Sequence, residues 1–252
     1  VNLVSNKIIK HKRVDKILYR NSLYEDHSNH CTIVTNIKYI KSIDNIIIFE
    51  RQNRAFKSYT TELNMTKEYH AHTDILLDVV DIPNYSLFAT SSKDKSIKFW
   101  NTKYIPPNTA THDDTGANDD FLGLNKTWEL NTSALSMAVA GSLLYIGNQS
   151  GKILGFPITL HEGKARNQIM YHEHKDAILK ILPINFYSIL VSASMDSNIG
   201  IYNIFDKEYI TSLTSHENPV LHLEFYKKDK ILISGGKDNY VLYWDLDKIM
   251  EH

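Results

Sequence analysis

The sequence predicts an all-β protein built from repeated antiparallel sheets, and three observations support this prediction. A set of polar residues with fixed spacing occurs three times in the chain of 252 residues. The segments VLHLEF, KILISGG and YVLYWDL, which contain or follow the third copy, alternate apolar and polar residues with a period of two, as strands do. A short polar turn separates the last two strands of each copy.

The repeated set consists of a histidine, a hydroxyl residue, an aspartate and an aromatic residue. In the third copy His216 precedes Asp238 by 22 residues, and Asp238 precedes Trp244 by 6. A serine or threonine stands four residues before each aspartate. The sets are His72, Thr90, Asp94 and Trp100; His174, Ser192, Asp196 and Tyr202; and His216, Ser234, Asp238 and Trp244.

Hydrogen bonding accounts for these residue types at this spacing. The histidine, in the loop before the first strand, can donate a ring N–H to the aspartate in the hairpin between the second and third strands. The hydroxyl on the second strand and the aromatic polar group on the third can join them, so each buried polar group finds a partner. We call each set a staple. We predict a structural role rather than a hydrolase triad, since the set occurs three times at a strand connection.

These residues resemble the WD-repeat β-propeller family, whose repeats each form a four-stranded sheet called a blade. The matching segments are SSKDKSIKFWN (91–101), SASMDSNIGIYNI (192–204) and SGGKDNYVLYWDL (234–246). The sequence departs from the family pattern in two ways. The usual Gly-His pair is Ala71-His72, Glu173-His174 and Ser215-His216, and Tyr202 stands where Trp is usual. We therefore expect the second staple to be the weakest.

Taken in order, the chain predicts about five recognisable blades in a single β-propeller domain, or part of one, over 1–252. Three blades carry a staple, and two are degenerate. We expect an edge strand or partial blade at 1–30, degenerate blades at 31–67 and 126–160, stapled blades at 70–103, 171–214 and 216–252, and an acidic loop insertion at 104–124.

The two degenerate blades lack the polar set. In the first, Asp44 is predicted at a turn and Phe49 near the place of the aromatic residue. In the second, Ile146 stands in the place of the hydroxyl, Ser150 in that of the aspartate and Phe156 in that of Trp. We expect the second degenerate blade to be held by apolar packing alone.

Five blades leave the closure of a propeller open, because a ring must protect its sheet edges. Residues 1–30 could complete a sixth blade, sequence beyond this chain could add one or two, or a partner could donate strands. The resemblance implies a ring of six or seven blades, and we favour additional sequence, with completion by a partner as the second option.

Composition excludes several classes of protein. The net charge is −1, so there is no global electrostatic case for nucleic acid or an anionic membrane. A single cysteine, Cys31, cannot form an intramolecular disulfide and is compatible with a reducing compartment. No apolar run is long enough to span a bilayer, and the start is not signal-like. We expect an intracellular protein of the cytoplasm or nucleus.

Basic residues are concentrated near the start of the chain, and two interpretations remain open. They could contact RNA phosphates. Alternatively, they line the solvated side of an edge strand and block sheet addition, which we favour because no aromatic stacking pattern accompanies them. The residues are Lys7, Lys10, Lys12, Arg13, Lys16 and Arg20.

No motif for catalysis or cofactor binding is evident. The chain has no nucleophile elbow, no phosphate-binding glycine loop and no H-E-x-x-H. The acidic stretch 112–120 lacks the spacing and terminal Glu of an EF-hand. We predict no enzyme, no cofactor and no metal site.

The resemblance implies a non-catalytic scaffold for protein–protein interactions within a larger multiprotein assembly, binding through the face where the histidine loops and tight turns emerge. Loop tips on a rigid scaffold are common binding positions, although each could be merely a solvated turn residue. The candidate face consists of Asp74, Lys93 and Lys95; Lys175, Asp176 and Met195; and Glu217, Asn218, Lys237 and Asn239.

Two other functions remain open. Residues 72–101 are similar to a blade of the tandem-propeller subunits of the small-subunit processome, which implies a ribonucleoprotein role in ribosome biogenesis. A salt titration of RNA binding separates that role from a protein scaffold. The third possibility is a substrate receptor of a ubiquitin ligase, but neither an arginine-rich face nor an F-box appears in the sequence.

Overall fold

Within the residues that the structure describes, short alternating segments fold into 21 strands, so the all-β prediction is confirmed. The structure, a computed structural model, describes residues 8–13, 34–50, 54–62, 64–70, 72–102, 123–159, 163–164, 169–172 and 174–251. Most of the predicted acidic loop, the basic residues Lys7, Lys16 and Arg20, and Cys31 lie outside these ranges. The described strands form five sheets, numbered here in chain order. Sheets 1 and 2 belong to one compact unit, and sheets 3 to 5 belong to another.

Sheet 1 is antiparallel and carries no staple in its described residues. Its strands pair in chain order and are Val34–Ile40 (β2), Asn45–Glu50 (β3), Ala55–Thr60 (β4) and Met65–His70 (β5).

The register of sheet 1 corrects the predicted place of its aromatic residue. Phe49 lies on the second strand, whereas the aromatic residues of the staples lie on third strands. The residue paired in the corresponding position is Tyr59, opposite Ile46. The prediction was wrong because Asp44 lies in the turn between the first and second strands, not in the hairpin between the second and third.

Sheet 2 contains the first staple and one strand more than the other sheets. A 3-10 helix (Pro83–Tyr85) connects its first two strands. Its strands are Leu76–Ile82 (β6), Leu87–Ser92 (β7), Ser96–Asn101 (β8), Leu124–Glu129 (β9) and the two-residue Gly163–Lys164 (β13), which runs parallel to β9.

Strand β9 corrects the predicted boundary between two blades. Its residues begin before 126, where the second degenerate blade was predicted to start, yet they pair with β8 in sheet 2. Outer strands carry no polar signature, and here the acidic insertion separates the third strand from the fourth, so the sequence pattern divided one sheet at this point.

Sheets 3, 4 and 5 each have four strands. Sheet 3 consists of Ala134–Ala140 (β10), Leu143–Asn148 (β11), Lys152–Pro157 (β12) and Ile169–His172 (β14). Strand β14 begins before residue 171 and belongs to sheet 3, not to the blade predicted at 171–214. Sheet 4 consists of Ile178–Ile184 (β15), Ile189–Ser194 (β16), Ile199–Asn203 (β17) and Tyr209–Leu213 (β18).

Sheet 5 joins the two ends of the described chain. Val220–Tyr226 (β19), Ile231–Gly236 (β20) and Tyr240–Asp245 (β21) pair in order, and Ile8–Arg13 (β1) pairs antiparallel with β21. Residues 8–13, the described part of the predicted 1–30 segment, therefore form an edge strand of sheet 5. The basic residues Lys10, Lys12 and Arg13 lie on this strand. A short helix (Leu246–Met250, α1) follows β21.

Each unit has its own apolar core between neighbouring sheets. In the first unit, Phe49, Phe56 and Val79 pack with Trp100 between sheets 1 and 2. In the second, a cluster around Val191 and Trp244 fills the space between sheets 4 and 5. The second strands β7 and β16 are buried at every position. These buried strands hold the hydroxyl residues of two staples.

Removing residues 1–13 tests the assignment of β1 to sheet 5. We expect the β21 amides that do not bond to β20 to lose protection from hydrogen exchange, because they would lose their partner strand. Amides of β17 in sheet 4 serve as the control and should keep their protection. Unchanged exchange in β21 would contradict the pairing.

Candidate functional site

The staple of sheet 2 connects a loop, a buried strand and a hairpin through side chains. His72, in the loop before β6, places Nδ1 2.9 Å from Asp94 Oδ2 and Nε2 2.9 Å from Thr90 Oγ1. The Trp100 indole N–H donates to the same hydroxyl at 3.0 Å. With the imidazole proton on Nδ1, the Trp100 N–H donates to the Thr90 hydroxyl, and that hydroxyl donates to His72 Nε2. The His72 Nδ1–H then donates to Asp94.

Sheet 5 has the same arrangement with closer contacts. His216 Nδ1 lies 2.7 Å from Asp238 Oδ2, and His216 Nε2 lies 2.8 Å from Ser234 Oγ. The Trp244 indole N–H donates to Ser234 Oγ at 2.9 Å. The hydrogen bonds that the spacing predicted are thus present here, as they are in sheet 2.

Sheet 4 retains the histidine bonds but has a longer contact at its aromatic residue. His174 lies 3.0 Å from Asp196 and 2.7 Å from Ser192. The Ser192 and Tyr202 hydroxyl oxygens are 3.4 Å apart, which is longer than either indole contact. Gly200 gives the phenol ring its space, because a Cβ there would overlap the Tyr202 hydroxyl and lie 2.8 Å from Cζ.

Each staple aspartate also accepts hydrogen bonds from two backbone N–H groups, one in the histidine loop and one in its own hairpin turn. The spacing alone did not reveal these bonds. One carboxylate oxygen accepts the N–H of the residue after the histidine, at 3.1 Å from Thr73, 2.9 Å from Lys175 and 3.1 Å from Glu217. The other accepts the N–H two residues after the aspartate, at distances of 2.9, 3.0 and 3.0 Å in the three copies. The carboxylate therefore fixes both the loop and the hairpin turn.

Two serines that the sequence analysis missed extend the staples. The Ser92 hydroxyl donates to the carbonyl oxygen of Ile75 at 2.9 Å and accepts the Asp94 N–H at 3.2 Å. Ser194 bonds to Asp176 and Asp196 in the same way in sheet 4. The repeated Ser-x-Asp could have identified them. Sheet 5 has Gly236 in this place, and a Cβ there would lie 2.7 Å from His216 Nδ1.

Sheet 3 corrects the expectation that apolar packing alone holds it. The Asn148 side-chain oxygen accepts the N–H groups of Ser150 and Lys152 at 2.9 and 3.0 Å. Asn148 thus holds the hairpin where Ser and Asp do so in the stapled sheets. Phe156 does lie in the place of Trp, opposite Leu144, as Trp100 lies opposite Phe88.

Burial and hydrogen bonding act in opposite directions on the staple carboxylates. Burial by itself would raise the pKa of Asp94, but the bonds from His72, Ser96 and the Thr73 N–H together hold its pKa well below the ordinary value. The pKa values of Asp196 and Asp238 are also lowered, since backbone N–H groups and a histidine outweigh burial. The three histidines are themselves 4–7% exposed.

The residues predicted for the candidate face each lie next to the staple of their own sheet. Eight of its ten residues are exposed, while Asp74 and Met195 are half-buried. Asp74 and Asp176 each accept the N–H of the next residue at 2.7 Å, so their carboxylates also shape the loops. Lys95 and Asn239, each just after a staple aspartate, have φ of 65°, which fixes the direction of these turns.

A shallow pocket of about 340 Å³ adjoins the first staple. Lys95, Lys98 and Glu129 are among its lining residues, together with Asp94 and Thr73. Side chains of both charges make it suited to polar groups. Of the residues predicted for the candidate face, Lys95 lines this pocket.

Comparison with known proteins identifies the repeats. The family model "WD domain, G-beta repeat" matches residues 63–101 and 207–245. The chain contains WD repeats at these two sites. Each match begins at or before the outer strand of one sheet and continues through three strands of the next, β5 to β8 and β18 to β21. A WD repeat is therefore offset by one strand from a sheet. This offset explains why the predicted blade boundaries differ from the ends of the sheets.

Relatives with WD repeats cover much of this chain but share few identical residues. Human WD repeat-containing protein 36 is 22% identical over 161 residues, which is 62% of this chain and 16% of that protein. Echinoderm microtubule-associated protein-like 4 of Xenopus laevis is 23% identical over 185 residues, 71% of this chain and 18% of that protein. The Denticleless protein homolog of Danio rerio is 23% identical over 94 residues, 36% and 14% respectively. The chain thus spans less than a fifth of each relative's length.

WD-repeat proteins generally mediate protein–protein interactions and are typically non-catalytic. Within the described ranges, no helix is long and apolar enough to cross a membrane. The same residues contain no group of three or more histidine, cysteine or acidic side chains placed to hold a metal ion.

Replacing Asp94 with Asn tests the staple and its pH dependence. At about pH 7 we expect a loss of about 1–3 kcal/mol in the free energy of unfolding, because the amide is a poorer acceptor for His72 and two backbone N–H groups. Because the pKa of Asp94 is lower in the folded chain, the unfolded chain takes up this proton at a higher pH than the folded chain does. The stabilisation by the ionised carboxylate is therefore present above about pH 4 and is lost as the pH falls towards the folded-state pKa.

The measurement is urea unfolding at a series of pH values. The difference between the unmodified chain and the Asn variant should shrink as the pH falls from about 5 to about 2. Replacing the exposed Asp229 with Asn is the control and should change little. A difference independent of pH would contradict the role of the ionised carboxylate.

Replacing Gly200 with Ala tests the space that Tyr202 needs. The added Cβ overlaps the phenol, so we expect a loss of about 1–3 kcal/mol in the free energy of unfolding. Gly235→Ala is a matched control, because that glycine also lies on an inner strand and its added Cβ would meet nothing within 4 Å. Equal effects of the two substitutions on urea unfolding would contradict the packing argument.

Proposed function

We propose that this WD-repeat chain is a non-catalytic scaffold of an intracellular multiprotein assembly, which binds partner proteins through the candidate face. One observation carries the proposal. The staple carboxylates bind the backbone N–H of Thr73, Lys175 and Glu217, so exposed loop residues are held by buried groups. A face held rigid before binding loses less conformational entropy when a partner docks.

The chemistry of the candidate face supports a polar partner surface. Four exposed lysines, Lys93, Lys95, Lys175 and Lys237, are interspersed with Asp176 and Glu217. The pocket beside Lys95 adds Lys98 and Glu129. Charges of both signs favour a partner of defined, complementary pattern over a uniformly charged polymer.

The ribonucleoprotein role stays the second hypothesis, and the ubiquitin-ligase role stays the third. Lys10, Lys12 and Arg13 lie on the edge strand of sheet 5, where basic residues commonly prevent sheet addition. This placement supports the structural interpretation for these three residues. We therefore place the protein scaffold first.

Affinity purification with quantitative identification of co-purifying proteins tests the proposal. The face variant replaces Lys95, Lys175 and Lys237 with Glu, one residue beside each staple. We expect about a five-fold or greater loss of specific partners, because charge reversal at exposed contacts weakens binding without changing the core.

The matched control replaces Lys207, Lys227 and Lys228 with Glu, which changes the charge equally at the other end of sheets 4 and 5. It should retain those partners. Unfolding by urea should be similar for both variants. Partners that bind the face variant as well as the unmodified chain would contradict the proposed face.

A further inference from the structure

Three large, exposed aromatic side chains lie at turns of sheets 4 and 5, away from the candidate face. Phe186 is 57% exposed, Phe205 73% and Tyr226 48%. They lie at the β15–β16, β17–β18 and β19–β20 connections, whereas the staples lie at the β16–β17 and β20–β21 hairpins. In an antiparallel sheet these two sets of turns are at opposite ends. The candidate face has no exposed aromatic or large aliphatic residue among its ten.

Hydrogen bonds and ring contacts join these three turns. The Ile204 N–H donates to the Ser188 carbonyl oxygen at 2.9 Å, which links the two turns of sheet 4. The Tyr187 hydroxyl donates to Asp247, and Lys230 Nζ lies 2.8 Å from the same carboxylate. This connects sheet 4 with sheet 5. We call residues 185–188, 204–208 and 226–230 the aromatic turn surface.

Aromatic rings lie close together across the sheet boundary. Phe186 and Tyr187 meet edge to face with centroids 4.9 Å apart, and Tyr187 meets Phe225 at 6.3 Å. Lys230 Nζ lies 5.5 Å from the centroid of the Phe186 ring. The exposed Phe186 ring therefore packs against its neighbours and is not an isolated side chain. Rigid, exposed aromatic residues are the usual anchors of protein interfaces.

The charges on this surface are balanced. Its exposed lysines, Lys207, Lys227 and Lys228, are matched by three exposed acids, and the charge of Lys230 is paired with Asp247. Balanced charge gives no general attraction for a polyanion such as RNA. A surface with both signs and an apolar centre can instead complement itself. The acids are Asp206, Glu208 and Asp229.

We propose that two copies of this chain associate through the aromatic turn surface. In a two-fold symmetric dimer the same patch meets itself, so Phe186, Phe205 and Tyr226 lie at the centre and each lysine can face an acid of the partner. The candidate face at the opposite turns stays free. The inference is independent of the proposed scaffold function, which concerns other proteins and that other face.

Sedimentation equilibrium of the 252-residue chain over a range of micromolar concentrations tests the proposal. We expect a concentration-dependent dimer. Phe186→Ser combined with Phe205→Ser should weaken association at least about tenfold, since it removes two anchors. The matched control is Ile37→Ser with Met65→Ser, which removes comparable exposed apolar side chains, 55% and 51% exposed, from sheet 1. It should leave the dimer unchanged. Thermal melting checks that both variants are folded.

Two charge-reversed variants test whether the aromatic turn surface binds a second copy of this chain. One variant carries Lys207→Glu and Lys227→Glu, and the other carries Glu208→Lys and Asp229→Lys. We expect each alone to associate more weakly, and the mixture of the two to form a heterodimer at least as stable as the original dimer. Labelled oligouridylate is titrated in parallel.

Three results would overturn the inference. The first is a monomer at all concentrations. The second is a dimer that the sheet 1 control weakens as much as the double serine variant does. The third is binding of oligouridylate by the unmodified chain without self-association, lost in the lysine-to-glutamate variant, which would assign the surface to RNA.

Discussion

The bond between a buried histidine and a buried aspartate is the interaction on which each stapled sheet depends. The aspartate stands at the hairpin between the second and third strands, and the histidine stands before the first strand. Because the carboxylate also accepts backbone N–H groups from both segments, one side chain fixes two connections at once. Burial would make an unpaired carboxylate costly, so the pairing and the fold require each other.

The three staples solve the same problem with different residues, and each substitution has a compensation nearby. Tyr202 replaces an indole, and Gly200 leaves the space that the phenol occupies. Gly236 replaces a serine where a Cβ would lie too close to His216. Sheet 3 has no histidine or aspartate in these places, and Asn148 holds its hairpin. The element that these sheets share is thus the hydrogen-bonded turn, which several different side chains can stabilise.

Much of this arrangement could be predicted from spacing, because side chains that meet across a sheet must keep a fixed register. His72 and Asp94 could be paired without coordinates for that reason. Outer strands such as β9 and β14 carry no such signature, so their sheet could not be assigned from sequence. Phe49 was misplaced because the turn at Asp44 contains an aspartate, as a staple hairpin does, but connects the first and second strands. The role of Gly200 depends on where a ring lies in space, which no spacing reveals.

A double-mutant cycle between His216 and Asp238 tests the central claim most directly. Each residue is replaced with Ala, singly and together, and the free energy of unfolding in urea is measured for all four chains. If the pair acts as one unit, the summed losses in the free energy of unfolding of the two single variants should exceed the loss of the double variant by about 1–3 kcal/mol. Additive losses, with a coupling of about zero, would show that the two side chains stabilise the fold independently and would contradict the account.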